Sequence, residues 1–200
     1  MEKFASKYLE ISGKKRATIY IETLLINNLL SKLVTLDYSK LDNVPKERGI
    51  YLWFRGSNIE YIGVANNKNG LYGRVVRQHL NEEYLEFRPT NQSSKDTYQL
   101  AHAIEKVNGK EIKYGIDKST FRKKIGRKFE LRPSKATVDY IKKNGSFKYV
   151  PVENISKEIL ELIETILIGY FKPELNDSKK NINVKEVDSM PGSSTTSRIM

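Results

Sequence analysis

Gly49-Ile50-Tyr51-Leu52-Trp53-Phe54-Arg55-Gly56-Ser57-Asn58-Ile59-Glu60-Tyr61-Ile62-Gly63-Val64 sets two short runs rich in β-branched and aromatic residues around a Gly-Ser-Asn turn signal, the pattern of a β-hairpin. After a polar loop, Leu71-Tyr72-Gly73-Arg74-Val75-Val76-Arg77-Gln78-His79-Leu80 has helix-compatible spacing. The unit reads strand, turn, strand, helix, and it can point Tyr51, Tyr61 and Arg74 into one place. Parity decides whether the two phenols meet, because successive side chains of a strand alternate faces. A three-residue Gly56-Ser57-Asn58 loop, with Gly or Asn taking φ > 0, sets Tyr61 opposite Trp53 and on the face of Tyr51. A two-residue loop would separate them. The odd loop is the expectation.

Outward from the hairpin, Ile21, Leu24, Leu25, Leu29, Leu33 and Leu36 recur at helical spacing and predict an amphipathic helix over 19–36. Asp42 to Pro45 is a turn into the hairpin. Downstream, Glu82 to Ser94 reads as a polar connector, and Asp96 caps a helix running to Asn108. A short strand is expected over Lys110–Tyr114, and Ser119 is an N-cap for the basic helix Phe121–Lys128. A further helix runs from Pro133-Ser134 to Asn144-Gly145, followed by a third strand over Phe147–Val152. The clearest helix covers 156–171, with Ser156 as N-cap and a buried stripe of Ile159, Ile163, Ile166 and Tyr170. Glu158 and Glu161 fall on its far side. Glu164 differs: its i−4 and i+4 neighbours, Leu160 and Ile168, are apolar, so this carboxylate needs cations or donors to offset its desolvation. From Ser178 the chain is polar and reads as a loose tail. The fold class is α+β, a small three-stranded antiparallel sheet flanked by helices, with an N-terminal helical extension at 1–46, a core domain at 47–177 and the tail at 178–200.

The 200 residues contain no cysteine, which removes disulfides, thiolate metal sites and cysteine nucleophiles and makes a reducing cytoplasm the expected location. No run of 18 apolar residues is present, so no membrane span is expected. The net charge is +11, and residues 110–148 carry 13 Lys and Arg against four acids. Such a block is an electrostatic footprint for phosphates, so nucleic acid is the expected partner.

Gly49-Ile50-Tyr51, nine residues, Tyr61-Ile62-Gly63, then Leu71-x-x-Arg74-Val75 together resemble the GIY-YIG nuclease family, which is named for the two tripeptides. The family's later glutamate and asparagine are matched in kind and order by Glu164 and by Asn176 in Lys172-Pro173-Glu174-Leu175-Asn176. The resemblance implies a metal-dependent endonuclease acting on DNA, duplex rather than single-stranded, as a monomer or homodimer. It implies Tyr51, Tyr61, Arg74, Glu164 and Asn176 as catalytic residues, with Glu164 holding Mg²⁺ or Mn²⁺ and the phosphate and waters completing the shell. Arg74 can brace a phosphate with two parallel hydrogen bonds. Tyr61 is the favoured general base with Tyr51 as a second phenol, and the reverse assignment stays open. Asn176 either holds a phosphate oxygen or ties the Glu164 helix in place.

In one respect this chain departs from the family. Many members carry a histidine four residues after the arginine; here that position is Gln78, and His79 is five residues on, turned about 140° from Arg74 in a regular α-helix. His79 can join the site only if that helix starts late, bends or holds an inserted residue. The basic residues Arg77, Arg122, Lys123, Lys124, Arg127 and Lys128 are expected to contact nucleic acid, and the loop Asn66–Gly70 can also touch it. Two other readings compete. One is a nucleic-acid-binding protein with the same fold that does not cut. The other is a nuclease core with an acidic-x-Lys signature at Glu111-Ile112-Lys113.

Overall fold

The computed structural model describes residues 6–11, 17–88, 97–107, 111–176 and 182–187. In chain order the elements are β1 (Ser6–Ile11), β2 (Ala17–Glu22), α1 (Thr23–Ser31), β3 (Val34–Thr35), β4 (Gly49–Arg55), β5 (Asn58–Ala65), a π-helix (Tyr72–His79), β6 (Leu85–Phe87) and α2 (Thr97–Ala101). They continue with β7 (Ile104–Val107), β8 (Glu111–Asp117), α3 (Thr120–Lys128), α4 (Lys135–Asn144), β9 (Ser146–Pro151), α5 (Lys157–Phe171) and β10 (Ile182–Val187).

The hairpin β4–β5 forms half of a central antiparallel sheet of order β3-β9-β4-β5. Tyr61 does pair with Trp53, and Tyr51 pairs with Gly63, so both phenols lie on one face. The device differs from the expected one. The turn is two residues, Gly56 at φ 60° and Ser57, and the register shifts by one between Trp53 and Phe54. Glu60 is the extra residue of a β-bulge, and this insertion restores the parity that a two-residue turn alone would break. Opposite Tyr51, a Cβ on Gly63 would run into the Tyr51 ring, so only glycine leaves the ring its place.

Alternation along β4 splits the core in two. Tyr51 and Trp53 face the π-helix, α3 and α4, where Leu71, Val75, Phe121, Ile125, Ile141 and Phe147 are buried with them. Ile50 and Leu52 face the other way, onto Ile26 of α1 and Leu160, Leu167 and Ile168 of α5. Ser119 and Ser156 cap α3 and α5 as their positions predict, each accepting from the backbone N–H three residues on.

Several expectations are corrected. The sheet has four strands, because the two residues of β3 pair with Tyr149 and Lys148. The N-terminal region is not only helical: residues 17–22 are strand, and the helix is confined to Thr23–Ser31. Residues 182–187 of the expected tail are β10, which pairs with β1 in a sheet of order β10-β1-β2. The helix expected to reach Asn108 stops at Ala101 and gives way to β7, part of a third sheet of order β6-β8-β7. Glu111-Ile112-Lys113 lies in β8 of that outlying sheet, away from the hairpin. On α5, Ile159 is 52% exposed, and the buried face is Leu160, Leu167, Ile168 and Gly169. No helix among the described residues is long and apolar enough to cross a membrane.

Candidate active site

The helix after the hairpin decides the site. It carries i→i+5 hydrogen bonds, with Leu80 N donating to Val75 O at 3.0 Å, and so is a π-helix rather than an α-helix. Residues five apart then share a face, and the objection to His79 is removed. Its Nε2 lies 2.9 Å from the Tyr51 hydroxyl, to which Arg74 Nε also donates at 3.3 Å. Arg74 Nη1 donates to Gln78 Oε1 at 2.8 Å, so Gln78 orients the guanidinium instead of replacing the histidine. The Tyr61 ring lies 6.2 Å from that of Tyr51, close enough for each phenol to influence the ionisation of the other. Tyr51 is fully buried and Tyr61 is 7% exposed.

Glu164 reaches the same place from the other side of the sheet. β5 is an edge strand, and α5 packs against it. At its open end lies a cleft of about 360 Å³ lined by Val64, Asn66, Asn67, Arg74, Glu161, Glu164 and Thr165. Leu160 and Ile168 are buried on either side of Glu164, as their spacing from it implies. Glu161, expected on the far side of α5, lines the cleft with it and accepts a hydrogen bond of 2.9 Å from Asn66 Nδ2.

The electrostatics separate the two phenols. Burial raises the pKa of both. For Tyr51, the Arg74 guanidinium is the next influence and pulls it back down, and the hydrogen bond from Tyr61 helps, while Glu164 pushes it up. For Tyr61, the Tyr51 phenol and Glu164 both push further up, and only Arg74 opposes them. The Arg74 Nε–H donated to its oxygen makes Tyr51 the better placed of the two to ionise. His79 is held well below its usual pKa by burial and then by Arg74 and Arg122, so its imidazole is neutral.

Asn176 belongs to a clasp. Lys172, in the left-handed region at φ 48°, reverses the chain after α5, and Leu175 N then donates to Glu60 O at 2.9 Å. The Asn176 amide pairs with the backbone of Ile62 in both directions, accepting from its N–H at 2.9 Å and donating to its carbonyl at 2.8 Å. It substitutes for one residue of a neighbouring strand and fixes the α5 end to the β5 edge. Of the two roles open to it, this geometry is that of the tie.

The basic helix serves the interior more than the surface. Arg122, expected at the nucleic acid, is fully buried and pairs with the buried Asp117. Its Nη1 also reaches Asn81 O and Gln78 O, and its Nη2 Glu82 O, satisfying carbonyls at and just past the C-terminal end of the π-helix. Asp117 accepts further from Gln99 Nε2, Thr137 Oγ1 and Ser134 N at 2.8–3.0 Å. Lys124 donates to Leu175 O at 2.5 Å, and Lys128 pairs with Glu60 and Glu174, both reinforcing the clasp. Lys123 pairs with Glu86 at 3.4 Å. Arg77 and Arg127 are exposed. Sequence reasoning missed Asp117 and the second role of Ser119, whose hydroxyl lies 2.7 Å from His79 Nδ1.

Among the described residues, no cluster of three or more His, Cys, Asp or Glu side chains could enclose a metal ion. The donors in the cleft are the oxygens of Glu164, Glu161 and Thr165 and the amides of Asn66 and Asn67. That set suits a hard divalent cation held by one or two carboxylates that takes its other ligands from water and substrate.

A family model described as GIY-YIG catalytic domain matches residues 18–190, from β2 through β10. No curated protein and no solved structure matches the chain. The match spans most of the sequence and takes in the hairpin glycines, the paired phenols, the arginine and the glutamate. The chain therefore belongs to the GIY-YIG nuclease family.

Proposed function

We propose that this protein is a metal-dependent endonuclease that hydrolyses DNA phosphodiester bonds in the cleft between Arg74 and Glu164. One observation carries the reading: a guanidinium and a carboxylate from distant parts of the chain line one open cleft, and the same guanidinium donates to the buried Tyr51 phenol.

The scissile phosphate binds against Arg74. With Nε on Tyr51 and Nη1 on Gln78, the remaining guanidinium N–H groups are free to brace two phosphate oxygens. Glu164, with Glu161 beside it, would hold Mg²⁺ or Mn²⁺. Such an ion supplies positive charge where the pentacoordinate phosphorus gains negative charge. Drawing Arg74 onto the phosphate uncovers the Tyr51 oxygen; Tyr51 gives its own proton to solvent water in the cleft and, as the phenolate, takes the proton of the attacking water. Tyr61 then stabilises that oxygen as a hydrogen-bond donor. This reverses the roles first favoured for the two phenols, because their surroundings make Tyr51 the easier to ionise. The exposed Arg77 and Arg127, with Asn66 and Asn67 at the cleft, are the candidates for holding the flanking backbone.

The test is incubation of the purified protein with duplex and single-stranded DNA, with Mg²⁺ or EDTA, beside Glu164→Ala. Cutting that is lost in EDTA and in the variant supports the reading. Binding without cutting under every condition refutes it in favour of a binding protein of the same fold.

A further inference from the structure

His79 stands between two hydroxyls. Its Nε2 is 2.9 Å from Tyr51 Oη and its Nδ1 is 2.7 Å from Ser119 Oγ. A neutral imidazole carries one N–H, so only one of these contacts can be a donation from the ring. Which one depends on where Ser119 sends its proton.

Ser119 is buried, and its hydroxyl oxygen already accepts the Arg122 backbone N–H at 3.3 Å as the N-cap of α3. Its hydroxyl proton needs an acceptor. Among the described residues the remaining hydrogen-bond contact of that hydroxyl is His79 Nδ1. With Ser119 donating to Nδ1, the ring proton is on Nε2 and points at the Tyr51 oxygen. The opposite arrangement would leave the Ser119 proton unpaired. The proton that Tyr51 carries while neutral can instead turn to the oxygen of the neighbouring, slightly exposed Tyr61, so the first arrangement is the one that leaves no buried hydroxyl without an acceptor.

We infer that Ser119 is a positioning residue for the cleavage reaction, fixing His79 as the Nε2–H tautomer so that the imidazole donates to Tyr51 and does not accept from it. In the resting site the Tyr51 oxygen then receives His79 Nε2–H and Arg74 Nε–H, and the imidazole donor remains to favour the phenolate when Arg74 turns to the phosphate. One hydroxyl does two jobs: it starts the helix that carries Arg122, and it sets the direction of the proton at the base. The inference rests on the reading of Tyr51 as the base, but its first readout needs no activity.

The chain contains two histidines, His79 and His102, so ring ¹⁵N and ¹H resonances can be assigned with a His79→Gln control. The wild type is expected to show His79 as the Nε2–H tautomer; an Nδ1–H ring overturns the inference. Ser119→Thr keeps both cap and hydroxyl, and should keep the tautomer and the cleavage rate. Ser119→Asp is as good a cap but cannot donate. Above pH 8, where the ring is neutral, it should flip His79 to Nδ1–H and lower kcat by about 10- to 100-fold with KM changed less than about twofold. If Ser119 were only a cap, Ser119→Asp would keep wild-type kcat and tautomer, and that result refutes the proposal. A melting temperature of Ser119→Asp within about 4 °C of wild type separates the proton effect from unfolding. A wild type that cuts no DNA would count against the nuclease reading alone, and the ring resonances would still decide the tautomer.

Discussion

Replacing Arg122 by methionine separates two accounts of the basic helix α3. The side chain has no exposed surface, and its guanidinium pairs with an equally buried Asp117. Removing one partner of a buried pair typically destabilises by about 3–5 kcal/mol, because the other charge is left behind. Asp117 would retain donors from Gln99, Thr137 and Ser134, which places the expected loss near the lower end, at about 3 kcal/mol. The carbonyls of Gln78, Asn81 and Glu82 also lose a donor, so the loosening should extend to the π-helix. For a chain of this size the fall in melting temperature should be roughly 6–12 °C. Thermal unfolding followed by circular dichroism or calorimetry reads this directly. Adding Asp117→Asn should recover about 1–2 kcal/mol, since the uncompensated charge is then gone. DNA affinity measured against salt supplies the contrast. An arginine that neutralised a phosphate of duplex DNA would, on removal, flatten the log–log slope by about 0.9, whereas a buried Arg122 predicts no change. Unaltered stability together with a flatter slope would refute the placement of Arg122 in the interior.

Tyr51→Phe should lower the single-turnover cleavage rate by about 10²–10⁴, the range for loss of a general base, and Tyr61→Phe by less; the reverse order would return the base to Tyr61. Stability should fall in acid through His79. Its folded pKa is well below the ordinary value of 6.5, so below about pH 6.5 the unfolded chain binds a proton that the folded chain does not. Stability is therefore full above that pH and declines by up to about 1.4 kcal/mol per unit as pH drops towards the folded pKa. Denaturant titrations of wild type and His79→Gln should differ in this slope, and equal slopes would contradict the buried neutral ring. Deleting the exposed Arg77 should convert the π-helix into an α-helix with the histidine four residues after Arg74, keeping cleavage within about tenfold of wild type. A loss of activity on the scale seen for Tyr51→Phe would show that the π geometry is itself required.

The sequence made the paired phenols, Arg74 and Glu164 legible because each rests on a local periodicity. Two-residue alternation puts Tyr51 and Tyr61 on one face, and apolar neighbours four residues either side of Glu164 mark it as a carboxylate at the core edge. His79 was hidden by the assumption of α-helical geometry; the i→i+5 ladder is supported from outside by Arg122, 43 residues later. Arg122 in turn was hidden within a run of surface cations. Its signal was faint: Phe121 and Ile125 beside it face the core, and Asp117 precedes it by five residues. The clasp of Asn176 on Ile62 spans 114 positions, and β10 finds β1 from the far end of the chain. Such pairings leave little trace in local composition. Five short strands of the outlying sheets were lost for the same reason, since β1, β2, β6, β7 and β10 have no more than six residues each.

The bulge at Glu60 divides the hairpin into two independent lengths. Below it, the Trp53–Tyr61 and Tyr51–Gly63 pairs are fixed by the chemistry; above it, Phe54–Ile59 and Arg55–Asn58 form a short ladder leading to the turn. Because the offset is absorbed at Glu60, whole cross-strand pairs can be grafted onto the tip without rotating either phenol. The tip is thus a natural mount for an arm: a longer finger could be added there to change what the molecule touches, and the reacting groups would keep their aim.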